Sequence, residues 1–191
     1  MNTFKELVMA NRSRRGFDES RKVERGELET LVDYTRYCAA SANIQPLKYY
    51  LSCDRETNSK IQPLTGWAKR IEEELPHEGE KPTAFIVVCV DKSIGANPAA
   101  FSSDVGIVAQ TILLGAVEMG LGGCMIGNFS RGELSEALKL EPNIEPELVI
   151  AIGKPIDDVV ITDIDESGDT CYYRENNVHY VPKRRLEDII I

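Results

Sequence analysis

Between Asp104 and Met119 the chain reads DVGIVAQTILLGAVEM. Val105, Val108, Ala109, Ile112, Leu113, Ala116 and Met119 are apolar, while only Asp104, Gln110, Thr111 and Glu118 are clearly polar. This is helical spacing with too little polar surface for a solvent-facing side. Such a helix must be covered almost all round, so the sequence predicts an element inside the core or in a subunit interface. Ser103 or Asp104 supplies an N-cap and Gly120 a stop. Whatever fold forms has to be built around this segment.

The strands that could cover it are recognisable. AFIVVCV (84–90) does not alternate, which predicts a central strand buried on both faces. LKYYLSC (47–53) sets Leu47, Tyr49, Leu51 and Cys53 against Lys48, Tyr50 and Ser52, predicting a strand with one covered face. GGCMIG (122–127) and ELVIAIGKP (147–155) read as further buried strands. Thr3 and Glu6 have the spacing of a capping box, which predicts a first helix ending near Asn11. Leu28, Leu31, Val32 and Thr35 mark a second helix, from about Glu24 towards Cys38. Ser130 and Glu133 form another capping box for a helix through Leu138. In LTGWAKRIEEELPHEGEKP (64–82), Trp67, Ile71 and Leu75 predict a short helix followed by a polar flap. No repeat, low-complexity segment or linker interrupts the 191 residues, so one domain spanning 1–191 is expected.

Composition narrows the function. Twenty-two basic against 31 acidic residues give a net charge of -9, which disfavours general binding to nucleic acid or an anionic membrane. Cys38, Cys53, Cys89, Cys124 and Cys171 are widely spaced without a C-x-x-C, so neither a disulfide framework nor a zinc ribbon is suggested, and a cytoplasmic location fits. The opening MNTFKELVMANRSRR lacks the apolar run of a secretion signal. His77 and His179, the only histidines, lie far apart, with no H-E-x-x-H and no G-x-S-x-G, so no metal site is expected. Cys124 reads better as a buried, inert thiol than as a thiolate. With no evident acid, base or nucleophile, a bound cofactor would have to carry demanding chemistry.

Against the acidic background, NRSRRGFD (11–18) stands out. Arg12, Arg14 and Arg15 repel one another. A phosphate monoester would offset them, because arginine forks and a serine hydroxyl match its oxygens; a solvated loop paired with Asp18 and Glu19 is the alternative. Lys183, Arg184 and Arg185 form a second basic knot, which completes the same anion site if the tail returns there and is otherwise an exposed strand end. SANIQP (41–46) offers Ser41, Asn43 and Gln45 to a heterocycle or hydroxyl, or serves only as a turn. GLGGCMIG matches neither G-x-G-x-x-G nor a Walker loop. The final III either pairs at the home sheet's edge or reaches a partner.

Taken in order, these stretches resemble the FMN-dependent nitroreductase family. NRSRRGFD is similar to its R-S-x-R-x-F opening at Arg12, Ser13, Arg15 and Phe17. CAASANIQPLKY resembles its N-x-Q-P loop at Asn43, Gln45 and Pro46, and GLGGCMIGNF, LVIAIGKP and KRRLEDI resemble later segments. Ala39, Ala40, Leu47 and Arg185 depart from the family pattern. The resemblance implies a three-layer α+β fold, a central mostly antiparallel sheet flanked by helices, in an intertwined homodimer. It further implies FMN at the subunit interface, with no catalytic side chain because the flavin N5 carries the chemistry. Arg12, Ser13 and Arg15 would hold the phosphate end, with Lys183 and Arg184. Asn43 and Gln45 would approach from the other subunit, and Gly127 and Asn128 would lie near N5. The flap at 64–81 would bound an acceptor pocket with Trp67 as a wall, and the tail at 183–191 would cross to the partner. The implied activity is transfer of hydride from NADH or NADPH, in ping-pong order, to a nitroaromatic, quinone or similar acceptor. The alternatives are a flavoprotein with another donor or reaction, such as dehalogenation, flavin consumption or partner electron transfer, and a flavin-free dimer that binds an acidic protein or nucleic acid.

Overall fold

The computed structural model describes residues 3–176 and 178–191. Four strands form a sheet in the order β1-β2-β4-β3, every neighbour antiparallel: β1 (Leu47–Ser52), β2 (Ala84–Asp91), β3 (Gly122–Ile126) and β4 (Ile144–Gly153). All eight residues of β2 are buried, as its unbroken apolar run requires. Alternate side chains feed two cores. Ala84, Ile86, Val88, Ile150 and Ile152 pack with α2 (Arg25–Thr35) and α4 (Ser102–Glu118). Phe85, Val87, Val149 and Ala151 pack with α3 (Arg55–Ile61) and α5 (Arg131–Leu138). The result is the expected three-layer α+β arrangement, with the sheet in the middle.

The two capping boxes separate. At α1 (Phe4–Ala10) Thr3 and Glu6 cap reciprocally, whereas at α5 Ser130 accepts from Glu133 N–H without a reciprocal bond. The helix on which the fold depends begins at Ser102, and its N-cap position is Phe101. Asp104 does not cap it. It is buried and accepts a bond from Ser41 N–H at 2.9 Å, tying the 41–46 loop to α4. Gly120 ends the helix at φ 73°. Residues 98–118 are long and apolar enough to cross a membrane, yet Val105, Val108, Ala109, Ile112, Leu113 and Ala116 lie in the core. Cover is not complete within one chain, because Gly106, Ile107 and Gln110 remain exposed.

Two expectations need correction. The helix between β1 and β2 is α3, where Asp54 caps Thr57 N–H at 2.8 Å; residues 67–75 instead form turns and bends. Strand β1 is covered on both sides at its end, since Ser52 is buried against Asn58 and Tyr50 packs on the second core. A second sheet, ordered β5-β7-β6, joins β5 (Asp158–Asp163), β6 (Tyr173–Glu175) and β7 (Val178–Lys183). Strand β5 runs parallel to β7, which ends at the basic knot. Beyond it Leu186, Ile189, Ile190 and Ile191 are exposed, so the tail docks on no edge of its own chain.

Candidate functional site

The NRSRR loop is stitched to the main sheet by its backbone. Ser13 bridges Gly123, Arg14 N–H donates to the Gly123 carbonyl at 2.9 Å, and Phe17, fully buried, bridges Pro155. Gly123 itself is required by the close approach of β3 to β4, because a Cβ there would meet the Ala151 carbonyl oxygen at 2.2 Å. Its role is internal packing of β3.

The three arginines avoid one another by taking separate environments. Arg14 turns away and donates to the Asp157 carbonyl at 2.6 Å, with an Asp157 carboxylate oxygen at 3.5 Å. Arg12 donates to the Val8 carbonyl at 3.0 Å, in the last turn of α1, where helix carbonyls favour a cation. Burial, and then Arg14, hold its proton less tightly than usual. Arg15 lies 5.2 Å from the centroid of the Tyr172 ring, and its Nη1 is 3.2 Å from His179 Nε2. Among the described residues, the Nε–H groups of Arg12 and Arg15 are buried with no acceptor.

Arg12, Ser13 and Arg15 line one cavity of about 380 Å3 together with Lys183. Strand periodicity explains the last: His179, Val181 and Lys183 are spaced by two along β7 and all face the cavity. Asn11, Gln110 and Leu113 of α4, Met125 of β3 and Tyr172 complete the wall. Buried donors without acceptors, on arginines that share a cavity with a lysine ammonium, are the donor chemistry that an oxyanion would satisfy.

The other anticipated residues lie elsewhere. Arg184 is exposed and does not line the cavity. Asn43 and Gln45 contact each other, Gln45 Nε2 to Asn43 Oδ1 at 2.9 Å, in a loop where Ala42, Asn43 and Gln45 all have positive φ. Three such residues within four positions are backbone strain of the kind that collects at binding sites. Asn128 accepts a bond from Gly66 N–H at 2.8 Å, which fastens the flap to the Gly127–Asn128 turn. Trp67 donates to Thr65 Oγ1 at 2.9 Å and packs on the second core. A larger cavity, about 700 Å3, lies beside α3 and gathers none of the anticipated residues. Cys124 is buried, which pushes its thiol up, and burial takes the Cys89 thiol up to about 12, so neither is a ready thiolate. Tyr172 and His179 were not anticipated. The period-two reading of VHYVPK, which puts His179 on the Lys183 face, is the signal that finds His179.

The chain is thus an α+β protein, an antiparallel sheet between helical layers, with a cationic cleft where an N-terminal loop meets a C-terminal strand. Residues 8–154 match the nitroreductase family, and the chain belongs to that family. It is 28% identical over 175 residues to a NADPH-flavin oxidoreductase of Vibrio harveyi, covering 81% of this chain and 67% of that protein. A nitroreductase family protein of Clostridium difficile 630 shares its fold with TM-score 0.66 and 26% identity, over 82% of this chain and 86% of that one. An FMN-dependent nitroreductase of Clostridium difficile R20291 shares it with TM-score 0.66 and 21% identity, over 90% and 98%.

Proposed function

We propose that the chain is an FMN-dependent oxidoreductase that takes hydride from NADH or NADPH and passes it, in ping-pong order, to a small nitroaromatic, quinone or similar acceptor. The observation that carries this reading is the pair of acceptorless Nε–H groups of Arg12 and Arg15 on a cavity shared with Ser13 and Lys183. A phosphate monoester brings three acceptor oxygens and nearly two charges, and so fits that donor set. When bound, FMN supplies the hydride chemistry for which the chain has no side chain of its own. Arg12, Ser13, Arg15 and Lys183 hold the phosphate. Backbone at Gly127 and Asn128 would approach the flavin, and the flap with Trp67 would bound the acceptor side.

A second copy of the chain completes the site with Asn43 and Gln45. Its docking would cover Phe4 and Met9 of α1, Ile107 of α4 and the terminal isoleucines, all exposed in the single chain. Five free cysteines suit a cytoplasmic protein.

The test is an absorbance spectrum of the purified protein before and after anaerobic NADH or NADPH. Flavin bands that bleach support the reading. Bands that persist point to another electron donor, and no flavin after incubation with FMN refutes the cofactor. Size-exclusion chromatography tests the assembly: deleting residues 184–191 should shift a dimer towards monomer, and an unchanged dimer would release the tail from that role.

A further inference from the structure

Arg15 is held without an anion. Among the described residues its guanidinium has no carboxylate partner; it contacts His179 Nε2 at 3.2 Å and the Ser13 carbonyl at 3.4 Å, and lies against the Tyr172 ring. Asp157 serves the Arg15 backbone N–H, at 2.9 Å, and the side chain of Arg14. A guanidinium can only donate, so His179 Nε2 must accept and the ring proton must sit on Nδ1. The contact therefore exists only with a neutral imidazole. Tyr172 holds the ring as well as the guanidinium, its own ring centroid being 5.2 Å from that of His179.

We infer that His179 is a positioning residue of the anion site: as a neutral acceptor it holds Arg15 at the cavity wall, so the affinity for a phosphate-bearing ligand follows the protonation state of this ring. The inference rests on the reading of the cavity as the FMN phosphate site. The charged groups facing the ring are Arg15 on the N-terminal loop, Arg174 on β6, Asp157 ahead of β5 and Glu73 on the flap. Burial first, and then the two arginines, lower its proton affinity, against opposition from Asp157 and Glu73. Arg174 is itself paired with Glu73 at 3.3 Å. The neutral form is thus the resting form near neutrality. As the pH falls, a proton takes the lone pair that Arg15 uses and sets a second cation against the guanidinium. Arg15 is released from the wall.

The experiment titrates FMN by flavin fluorescence into the FMN-free full-length protein, as wild type, H179Q and H179A, with riboflavin as the ligand lacking phosphate. At about pH 8, H179A should bind FMN about tenfold more weakly. H179Q keeps an acceptor and should stay within about threefold of wild type. Between about pH 8 and pH 5 the wild type should lose affinity relative to H179Q, the titration of FMN's own phosphate cancelling in that ratio. Riboflavin affinity should not follow the substitutions. A ratio that stays flat overturns the inference, as does one in which wild type gains on acidification, because His179 would then be a cationic ligand. If H179A does not fold, by circular dichroism, the ratio of wild type to H179Q decides alone. Wild type that binds FMN no better than riboflavin at about pH 8 removes the phosphate site itself, a different failure from a flat ratio.

Discussion

The two sheets are held in opposite ways. Every residue of β2 is buried between two apolar cores, whereas in the strands β5, β6 and β7 the one buried residue is His179. Non-directional burial fixes the first sheet. The second is tied to the N-terminal loop and the flap by contacts that depend on charge and protonation, such as Arg15 to His179 and Arg174 to Glu73. On the proposed function, stability and ligand recognition are therefore lodged in different parts of one chain, and substitutions should pull them apart.

The largest effect should come from the first sheet. Ile150→Ala empties space in the core and should cost about 2–5 kcal/mol, read from the denaturant midpoint. FMN affinity of the folded fraction should hardly move, and a collapse of affinity would show that the sheets are not separable in this sense. Next comes a pair of neighbouring arginines. The side chains of Arg14 and Asp157 are only 18% and 10% exposed, so Arg14→Ala leaves a largely buried carboxylate without its ion pair. That should cost about 1–3 kcal/mol of stability with little effect on FMN. Arg12→Ala should do the reverse, weakening FMN at least about tenfold while costing the FMN-free protein less than Arg14→Ala does, since only the Val8 carbonyl loses a partner. Its removal deletes a buried donor that had no acceptor. A destabilisation by Arg12→Ala greater than that by Arg14→Ala would contradict the division.

The smallest effect is a slope. Folding lowers the proton affinity of His179, so the unfolded chain binds more protons and stability rises with pH. That contribution is complete above the ordinary histidine range and is lost as the pH falls through it. H179Q should flatten this part of a plot of melting temperature against pH, and an unchanged slope would assign it to other groups.

Long periodic elements could be read from the sequence because their burial is continuous: α4, β2, β4 and the Thr3–Glu6 box follow from spacing alone. Helix α3 could not, since of RETNSKI only Ile61 is buried and its start depends on the single cap Asp54. Asp104 was legible as a helix-start residue, but the chain extends the helix past it and uses its carboxylate for Ser41. Within the site, Arg12, Ser13, Arg15 and Lys183 share a cavity as their chemistry suggested, while Arg184 does not reach it. Tyr172 and His179 stayed hidden because the parallel pairing of β5 with β7, which sets the second sheet in place, links segments about 20 residues apart and leaves little apolar signature.

Strand β7 ends in Lys183, on the cavity, and runs within a few residues into an apolar tail with nothing beneath it. On the proposed function, one piece of chain would be both a ligand contact and a tether. Whatever seats the isoleucines also restrains the lysine, and linked equilibria are reciprocal, so occupancy of the cavity strengthens the hold on the tail by the same factor. Where that hold is a second copy of the chain, protein concentration itself becomes an effector: dilution loosens the ligand, and ligand opposes dissociation.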